Sequence, residues 1–318
     1  MLRGNRTEIL ARHQIAVLVP CYNEEAAIAS VVAAFRAALP SATIYVYDNN
    51  SSDRTADMAR AAGAIVRRET NQGKGHVVRR MFADVQADIY VLVDGDATYD
   101  AASARTMITR LVEEQLDMVV GARVALKGAA YRRGHRAGNR LLGGFVAAVF
   151  GRAFTDMLSG YRVLSRRFVK SFPVLSGGFE IETELAVHAL EIGLPIAEVE
   201  TPYYARPEGS TSKLRTWGDG VRILWTIIRL YKSERPLPFF ATIGAALATA
   251  GVLLAIPIFS TYLREGIVPR LPTAVLATGL MLLAFLSLTC GLVLETVTQG
   301  RREMKALAYL RQEALGED

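Results

Sequence analysis

The sequence predicts an α/β layer fold with a mostly parallel sheet, followed by two membrane-spanning helices. From Ile15 to about Val199, short β-branched runs alternate with amphipathic helical patterns, as strands and crossover helices do in one layered core. Leu237–Phe259 and Leu271–Leu294 are each free of charged residues, and each reaches the roughly 20 residues that a helix needs to cross a bilayer core. Over 318 residues, 51% hydrophobic content and a mean hydropathy of +0.21 coexist with 21% charged residues. That balance excludes both a disordered chain and one built of membrane helices throughout.

Ile15–Val19 reads as a buried strand, after which Ile28, Val31, Val32, Phe35 and Leu39 recur at helical spacing. Thr43–Tyr47 and Ile89–Val93 read as further strands, with a helix over Lys74–Gln86 between them. A helix over Ala101–Glu114 leads into the strand Met118–Val120. Past Pro207, Leu214, Trp217, Val221, Leu224, Trp225, Ile228 and Tyr231 share one helical face, and Arg215, Asp219, Arg222, Arg229 and Lys232 the other. Such a basic amphipathic helix lies in a membrane interface or packs on the domain core.

The link between the two apolar segments holds only Arg264 and Arg270 as basic residues, whereas the tail holds Arg301, Arg302, Lys305 and Arg311. Positive-inside bias then places both flanks in the cytoplasm and the link outside. The N-terminus carries Arg3, Arg6, Glu8 and Arg12 with no apolar run of signal-peptide length, so the first domain is expected to stay cytoplasmic. The expected organisation is a cytoplasmic domain over 1–210, interface helices over 211–236, spans over 237–259 and 271–294, and a cytoplasmic tail over 295–318. This describes a multi-pass protein of the cell membrane with both termini inside.

With 37 Lys+Arg against 31 Asp+Glu, the net charge of +6 suits an anionic partner. The two cysteines, Cys21 and Cys290, exclude a disulfide framework and a structural zinc site.

Ligands of open α/β sheets bind beyond the carboxyl ends of the strands, and the polar motifs fall there. Pro20-Cys21-Tyr22-Asn23-Glu24-Glu25 follows the first strand. Its Asn and Glu residues suit a helix start and ligand contacts equally. The absence of G-x-G-x-x-G disfavours a dinucleotide dehydrogenase. The second strand ends in Asp48-Asn49-Asn50-Ser51-Ser52-Asp53, where a carboxylate can accept from a base or ribose, although such clusters are also ordinary turn chemistry.

In Asn71-Gln72-Gly73-Lys74-Gly75, two glycines flank a lysine at a helix start. This permits close approach of an anion, though the spacing is not that of a P-loop. The sharpest motif is Val91-Leu92-Val93-Asp94-Gly95-Asp96. Two acids at the tip of a buried strand call for a cation. Hard Mg2+ or Mn2+ takes oxygen ligands and completes its shell from phosphates, which suits a nucleotide diphosphate. Lys127, Arg132, Arg133, Arg136 and Arg140 form a basic cluster, either a solvated face or a phosphate site at a membrane surface.

Taken in order, P-x-Y-N-E, Asp48 with Asn50-Ser51-x-Asp53, Gln72-Gly73-Lys74-Gly75 and Asp94-Gly95-Asp96 resemble a family 2 inverting glycosyltransferase of the GT-A fold, a Rossmann-like nucleotide-diphospho-sugar transferase domain. With Asp156-Met157-Leu158-Ser159-Gly160-Tyr161-Arg162 and the two C-terminal spans, the chain is similar to the polyprenyl-phosphate, dolichol-phosphate mannose synthase-like branch. The resemblance covers roughly Ile15–Arg235.

It implies that Pro20, Tyr22 and Glu24 line a nucleotide pocket, that Asp48 with Asn50 meets the base, and that Lys74, Gly95, Arg123 and Lys213 serve the donor. Asp94 would face the ribose or donor sugar and Asp96 would be the main metal ligand. Thr98 stands where dolichol-type enzymes have a metal-holding glutamine. Asp156 occupies the place of a candidate base, as a proton acceptor or an orienting group, and Arg132, Arg133 and Arg136 are assigned to the acceptor phosphate.

The implied activity is transfer of a hexose, with Mg2+ or Mn2+, from a nucleotide diphosphate sugar (GDP-mannose or UDP-glucose) to polyprenyl phosphate. A processive polysaccharide synthase of the same fold would carry Q-x-x-R-W and more spans. A non-catalytic membrane scaffold is the other alternative. No nucleic-acid partner is expected, and a homo-oligomer is left open.

Overall fold

The computed structural model describes residues 10–125, 154–174, 176–178, 180–207, 225 and 228–314, together with 144 and 147. Lys213, the basic cluster over 127–140, the apolar segment 141–150 except residues 144 and 147, and most of the amphipathic segment 214–232 lie outside these residues. The chain divides into two compact units, Met1–Val221 with Met304–Asp318, and Arg222–Glu303.

The first unit is built on a seven-stranded sheet in the order β3-β2-β1-β4-β6-β5-β7. Its strands are β1 (Ile15–Cys21), β2 (Thr43–Asp48), β3 (Ile65–Arg68), β4 (Ile89–Leu92), β5 (Met118–Ala125), β6 (Arg162–Ser165) and β7 (Ile196–Tyr203). All neighbours pair in parallel except β6, which runs antiparallel to both β4 and β5. β1 and β4 are almost wholly buried, as expected of strands covered by helices on both faces. β5 extends five residues beyond the predicted Val120. Gly121-Ala122-Arg123 breaks the apolar run, but β7 pairs with it throughout, from Met118↔Ile196 to Ala125↔Tyr203.

Helices α1 (Ile28–Ala38), α2 (Thr55–Ala61), α3 (Lys74–Asp84), α4 (Ser103–Glu113), α5 (Arg166–Ser171) and α6 (Ile181–Glu191) accompany the sheet. The predicted helical stripe of α1 is its buried face, with Ile28, Val31, Val32 and Phe35 in the core. Each such side chain contributes about 1.5–3 kcal/mol of transfer free energy. α3 stops two residues earlier than the periodicity suggested, where Val85 turns to extended backbone.

The second unit contains two long helices, α7 (Pro236–Glu265) and α8 (Leu271–Leu310), joined at Gly266 in left-handed conformation. Both are long and apolar enough to cross a bilayer; their most apolar stretches have mean hydropathies of 2.2 and 2.1, with only 11% and 17% buried. Apart from Pro236 at the start of α7, their buried residues are small and recur every seventh position: Gly244 and Gly251 on α7, then Ala277, Ala284, Gly291 and Thr298 on α8. A Cβ on Gly244 would stand 3.0 Å from the Ala284 carbonyl, and one on Gly251 3.2 Å from that of Ala277. The helices therefore pack antiparallel through small residues, the usual solution where lipid supplies no hydrophobic drive. Ser287 closes the seam by donating to the Phe240 carbonyl at 2.8 Å.

α8 continues past the predicted span, and its last turns belong to the first unit. Lys305 pairs with buried Glu191 at 2.5 Å, and the Tyr309 hydroxyl donates to Asp117 at 2.9 Å. Nearby on α6, His188 is buried against Phe168 and Phe172, with Nε2 3.2 Å from the Ser171 hydroxyl. Burial, with Lys305 adding to it, pushes its pKa from 6.5 down to about 3. Because the folded value is depressed, the folded state favours neutral imidazole. That stability is present above pH 6.5 and is lost as the pH falls toward 3. Between pH 7 and pH 5 the loss should be about 2 kcal/mol. His188→Gln should flatten that part of the profile in thermal unfolding, and an unchanged slope would contradict the assignment.

Candidate active site

The ends of β1, β2 and β4 carry the predicted motifs to one edge of the sheet. Cys21 and Asp48 pair in register, so the loops after β1 and β2 lie side by side. Asn23 adopts a left-handed φ of 52°, which Asn tolerates. Its side chain accepts from Ser52 N, while its own N–H donates to Ser51 Oγ. Glu24 is buried, and its N–H donates to the Thr55 hydroxyl at 2.8 Å. Tyr22 is exposed at the rim. The polar residues of both motifs are thus largely spent on holding the loops together, which is how a rigid pocket wall forms beside Pro20.

Asp48 is the exception. It is buried; one carboxylate oxygen accepts from Ser51 N at 3.3 Å, and Oδ1 has no partner among the described residues. An unsatisfied buried acceptor costs about 1–3 kcal/mol and suits a ligand N–H or O–H. Asn50, also left-handed at φ 62°, donates to the Thr70 carbonyl and accepts from Arg68. Its amide therefore bridges to β3 in this structure. Asn49 is the hub between the loops: its side chain donates to the Glu69 and Asn71 carbonyls and accepts from Gly73 N.

At Gly73-Lys74-Gly75 the structure differs from the anion-cradle expectation. A Cβ on either glycine would stand 2.1 Å from a backbone carbonyl, of Gly177 or Ser176. The glycines admit the 176–177 backbone, and that is the close approach they serve. Lys74 is likewise engaged, with its ammonium 2.5 Å from both Asp94 and Glu182. Burial alone would lower its pKa, but the two carboxylates outweigh burial and hold it above the ordinary value. Lys74 is thus an internal counter-charge that fixes the direction of Asp94.

Asp94 and Asp96 flank Gly95, where a Cβ would clash with Cys21 Sγ at 2.5 Å. Gly160 lies so close to Asp94 that a Cβ there would stand 2.4 Å from its carboxylate. Asp96 is buried, and burial together with the charge of Asp94 raises its pKa. Thr98 donates its hydroxyl to Asp96 Oδ1 at 2.6 Å, and Arg206 meets Oδ2 at 2.7 Å. Thr98 therefore orients the carboxylate here, a different task from that of a second oxygen ligand. Among the described residues no three His, Cys, Asp or Glu side chains gather into a complete metal cage. One or two buried carboxylates fit Mg2+ or Mn2+ that draws its other ligands from phosphate and water.

Asp156 and Arg123 form a bidentate pair, Nε–Oδ2 2.6 Å and Nη2–Oδ1 2.7 Å, with Arg123 N–H adding a third bond. Arg123 also stacks over Tyr203, 5.5 Å from the ring centroid. Both carboxylate oxygens are thus committed to Arg123, which favours the orienting role for Asp156. Arg162 is buried beneath the site and donates to the carbonyls of Met157, Ser159 and Glu182. Burial lowers its pKa to about 10, so it remains charged.

Glu182 and Arg206 were not singled out by sequence. Glu182 sits in the first turn of α6, where an acid is explained by the helix dipole. Arg206 follows a strand without a motif. The only sequence signal was the Phe-Glu-Ile-Glu-Thr-Glu-Leu run, in which three glutamates alternate with other residues.

The sequence profile of glycosyl transferase family 2 matches residues 16–172. The glycosyltransferase AglJ of Haloferax volcanii is 37% identical over 244 residues, 76% of this chain and 80% of that protein. A dolichyl-phosphate hexose transferase of the same organism is 28% identical over 221 residues, 70% of this chain and 95% of that one. Among solved structures, glucosyl-3-phosphoglycerate synthase from Mycobacterium tuberculosis, in complex with Mn2+, UDP-glucose and phosphoglyceric acid, shares the GT-A fold. Its TM-score is 0.58 at 23% identity, covering 73% of this chain and 83% of that one.

Proposed function

The chain belongs to glycosyl transferase family 2, and from that premise we propose that it is a membrane-bound inverting enzyme that moves one hexose, mannose or glucose, from a nucleotide diphosphate sugar to polyprenyl phosphate. The observation that carries this reading is the presence in one chain of a buried Asp96 with the half-buried Asp94 beside it at the sheet edge and two helices fit to span a bilayer. An acceptor with an isoprenoid tail stays in the membrane, and its transferase must work there. The relative named as a dolichyl-phosphate hexose transferase supports the same acceptor class.

In this reading the unpartnered oxygen of Asp48 accepts from the base, beside Pro20, Tyr22, Glu24 and Asn50. Asp94, aimed by Lys74 and Glu182, receives hydroxyls of the ribose or donor sugar. Asp96, steadied by Thr98, holds Mg2+ or Mn2+, which when bound offsets charge on the departing diphosphate. Arg123, braced by Asp156, faces the phosphates, and Lys213 closes over the donor. The lipid phosphate oxygen attacks the anomeric carbon as the bond to the diphosphate breaks, inverting the centre. Its second pKa is about 6, so it arrives largely dianionic and needs no strong base. Arg132, Arg133 and Arg136 are assigned to that phosphate. In this reading the catalytic domain and both termini are cytoplasmic, which the charge asymmetry of the flanks supports.

The test is incubation of the detergent-purified chain with a panel of nucleotide sugars, GDP-mannose and UDP-glucose included, and short-chain polyprenyl phosphate. A glycosylated polyprenyl phosphate with inverted anomeric configuration is expected. Transfer to soluble acceptors alone, or a growing polymer, would overturn the assignment.

A further inference from the structure

Both oxygens of the Asp96 carboxylate are occupied. Oδ1 receives the Thr98 hydroxyl and N–H, and Oδ2 faces the Arg206 guanidinium at 2.7 Å. Asp96 is nearly buried, at 7% side-chain exposure, whereas Arg206 is 30% exposed. The arginine approaches from the open side of the pair, and a cation that binds Oδ2 from that side must take its place.

The contact is built by the backbone. Tyr204 N donates to the Thr98 carbonyl at 2.8 Å, and Tyr99 bridges to Tyr203 with rings 5.4 Å apart. The continuation of β7 is thus stitched to the loop that carries Asp96, and Arg206 emerges two residues beyond the last of these contacts. Charge gives the arrangement its logic. Asp94, Asp96 and Glu182 confront Lys74 and Arg206, so the cluster is nearly neutral as it stands. Inserting a divalent cation beside an arginine that stays in place would reverse the balance. A diphosphate brings both the missing ligands and a partner for the displaced guanidinium, whose planar fork matches phosphate oxygens.

We propose that Arg206 occupies the Asp96 carboxylate until donor arrives and then exchanges with the divalent cation, transferring its guanidinium to the donor diphosphate. Arg206 is then a positioning residue that makes metal binding dependent on nucleotide. This rests on the reading of Asp96 as the metal ligand.

The test is Mn2+ titration of the full chain in detergent, followed by electron paramagnetic resonance, for wild type, Arg206→Gln, Arg206→Lys and Asp96→Asn. Without nucleotide, Arg206→Gln should bind Mn2+ about tenfold more tightly than wild type, since it lacks one charge-assisted competitor. Arg206→Lys, which keeps the charge, should stay near wild type. Adding UDP or GDP should tighten Mn2+ binding by wild type far more than by Arg206→Gln. Equal affinities in wild type and Arg206→Gln, with Asp96→Asn weakened, would overturn the exchange and leave the metal reading standing. Undiminished Mn2+ binding by Asp96→Asn would remove the metal reading itself. Thermal unfolding of each variant shows whether a lost signal comes from a lost fold.

Discussion

Asp96→Asn should reduce hexose transfer by at least about a thousandfold, because charge stabilisation in the transition state is worth several kcal/mol, while the fold survives. The substitution is nearly isosteric, and an amide oxygen can still accept from Thr98. The like charge of Asp94, which with burial raises the pKa of Asp96, is relieved rather than aggravated. Arg206 is exposed enough to regain water. The unfolding midpoint should therefore stay within the few degrees that correspond to about 1 kcal/mol. Wild-type transfer should likewise disappear in excess EDTA and return with Mg2+ or Mn2+. Retained transfer in the variant, or in EDTA, would remove Asp96 from the reaction.

Gly160→Ala should cost about a hundredfold in transfer, the scale on which misplacing a reacting group by about 1 Å acts. The added Cβ would stand 2.4 Å from the Asp94 carboxylate, and neither side can retreat. Asp94 is anchored by Lys74, itself held by Glu182. Gly160 N–H is fixed by the Tyr99 hydroxyl at 2.9 Å, and the preceding Ser159 hydroxyl by the Gly121 carbonyl at 2.6 Å. Overpacking of this kind destabilises by about 1–3 kcal/mol, so a fall of several degrees in the unfolding midpoint should accompany the loss of activity. Gly300→Ala on α8, where a Cβ meets nothing within 4 Å among the described residues, is the matched control and should leave transfer unchanged. Full activity in Gly160→Ala would mean that the direction of Asp94 is immaterial.

The legible parts of this protein share one property: their signal is local. β1, α1 and β4 are specified by runs of apolar side chains at their own periodicity, and α7 and α8 by uninterrupted apolar length. Asp48, Asp94 and Asp96 were visible because polar residues at the tip of a buried strand stand out against what precedes them. The seven-residue spacing of small side chains between α7 and α8 was also present in the sequence, but only the paired helices show which glycines face a neighbour.

The sequence by itself determined the layered domain, its sheet edge of acids and the two apolar helices, because hydrophobic periodicity and composition are properties of contiguous residues. Tertiary structure alone decided who neutralises whom. Lys74 turned to Asp94 and Glu182, Arg123 to Asp156, and Arg206 to Asp96, across 20 to 110 residues of chain. The physical reason is that a buried charge must find a counter-charge, and the fold can supply one from any element that reaches the same edge of the sheet. Nothing in the local pattern of a lysine or an arginine states which carboxylate that will be.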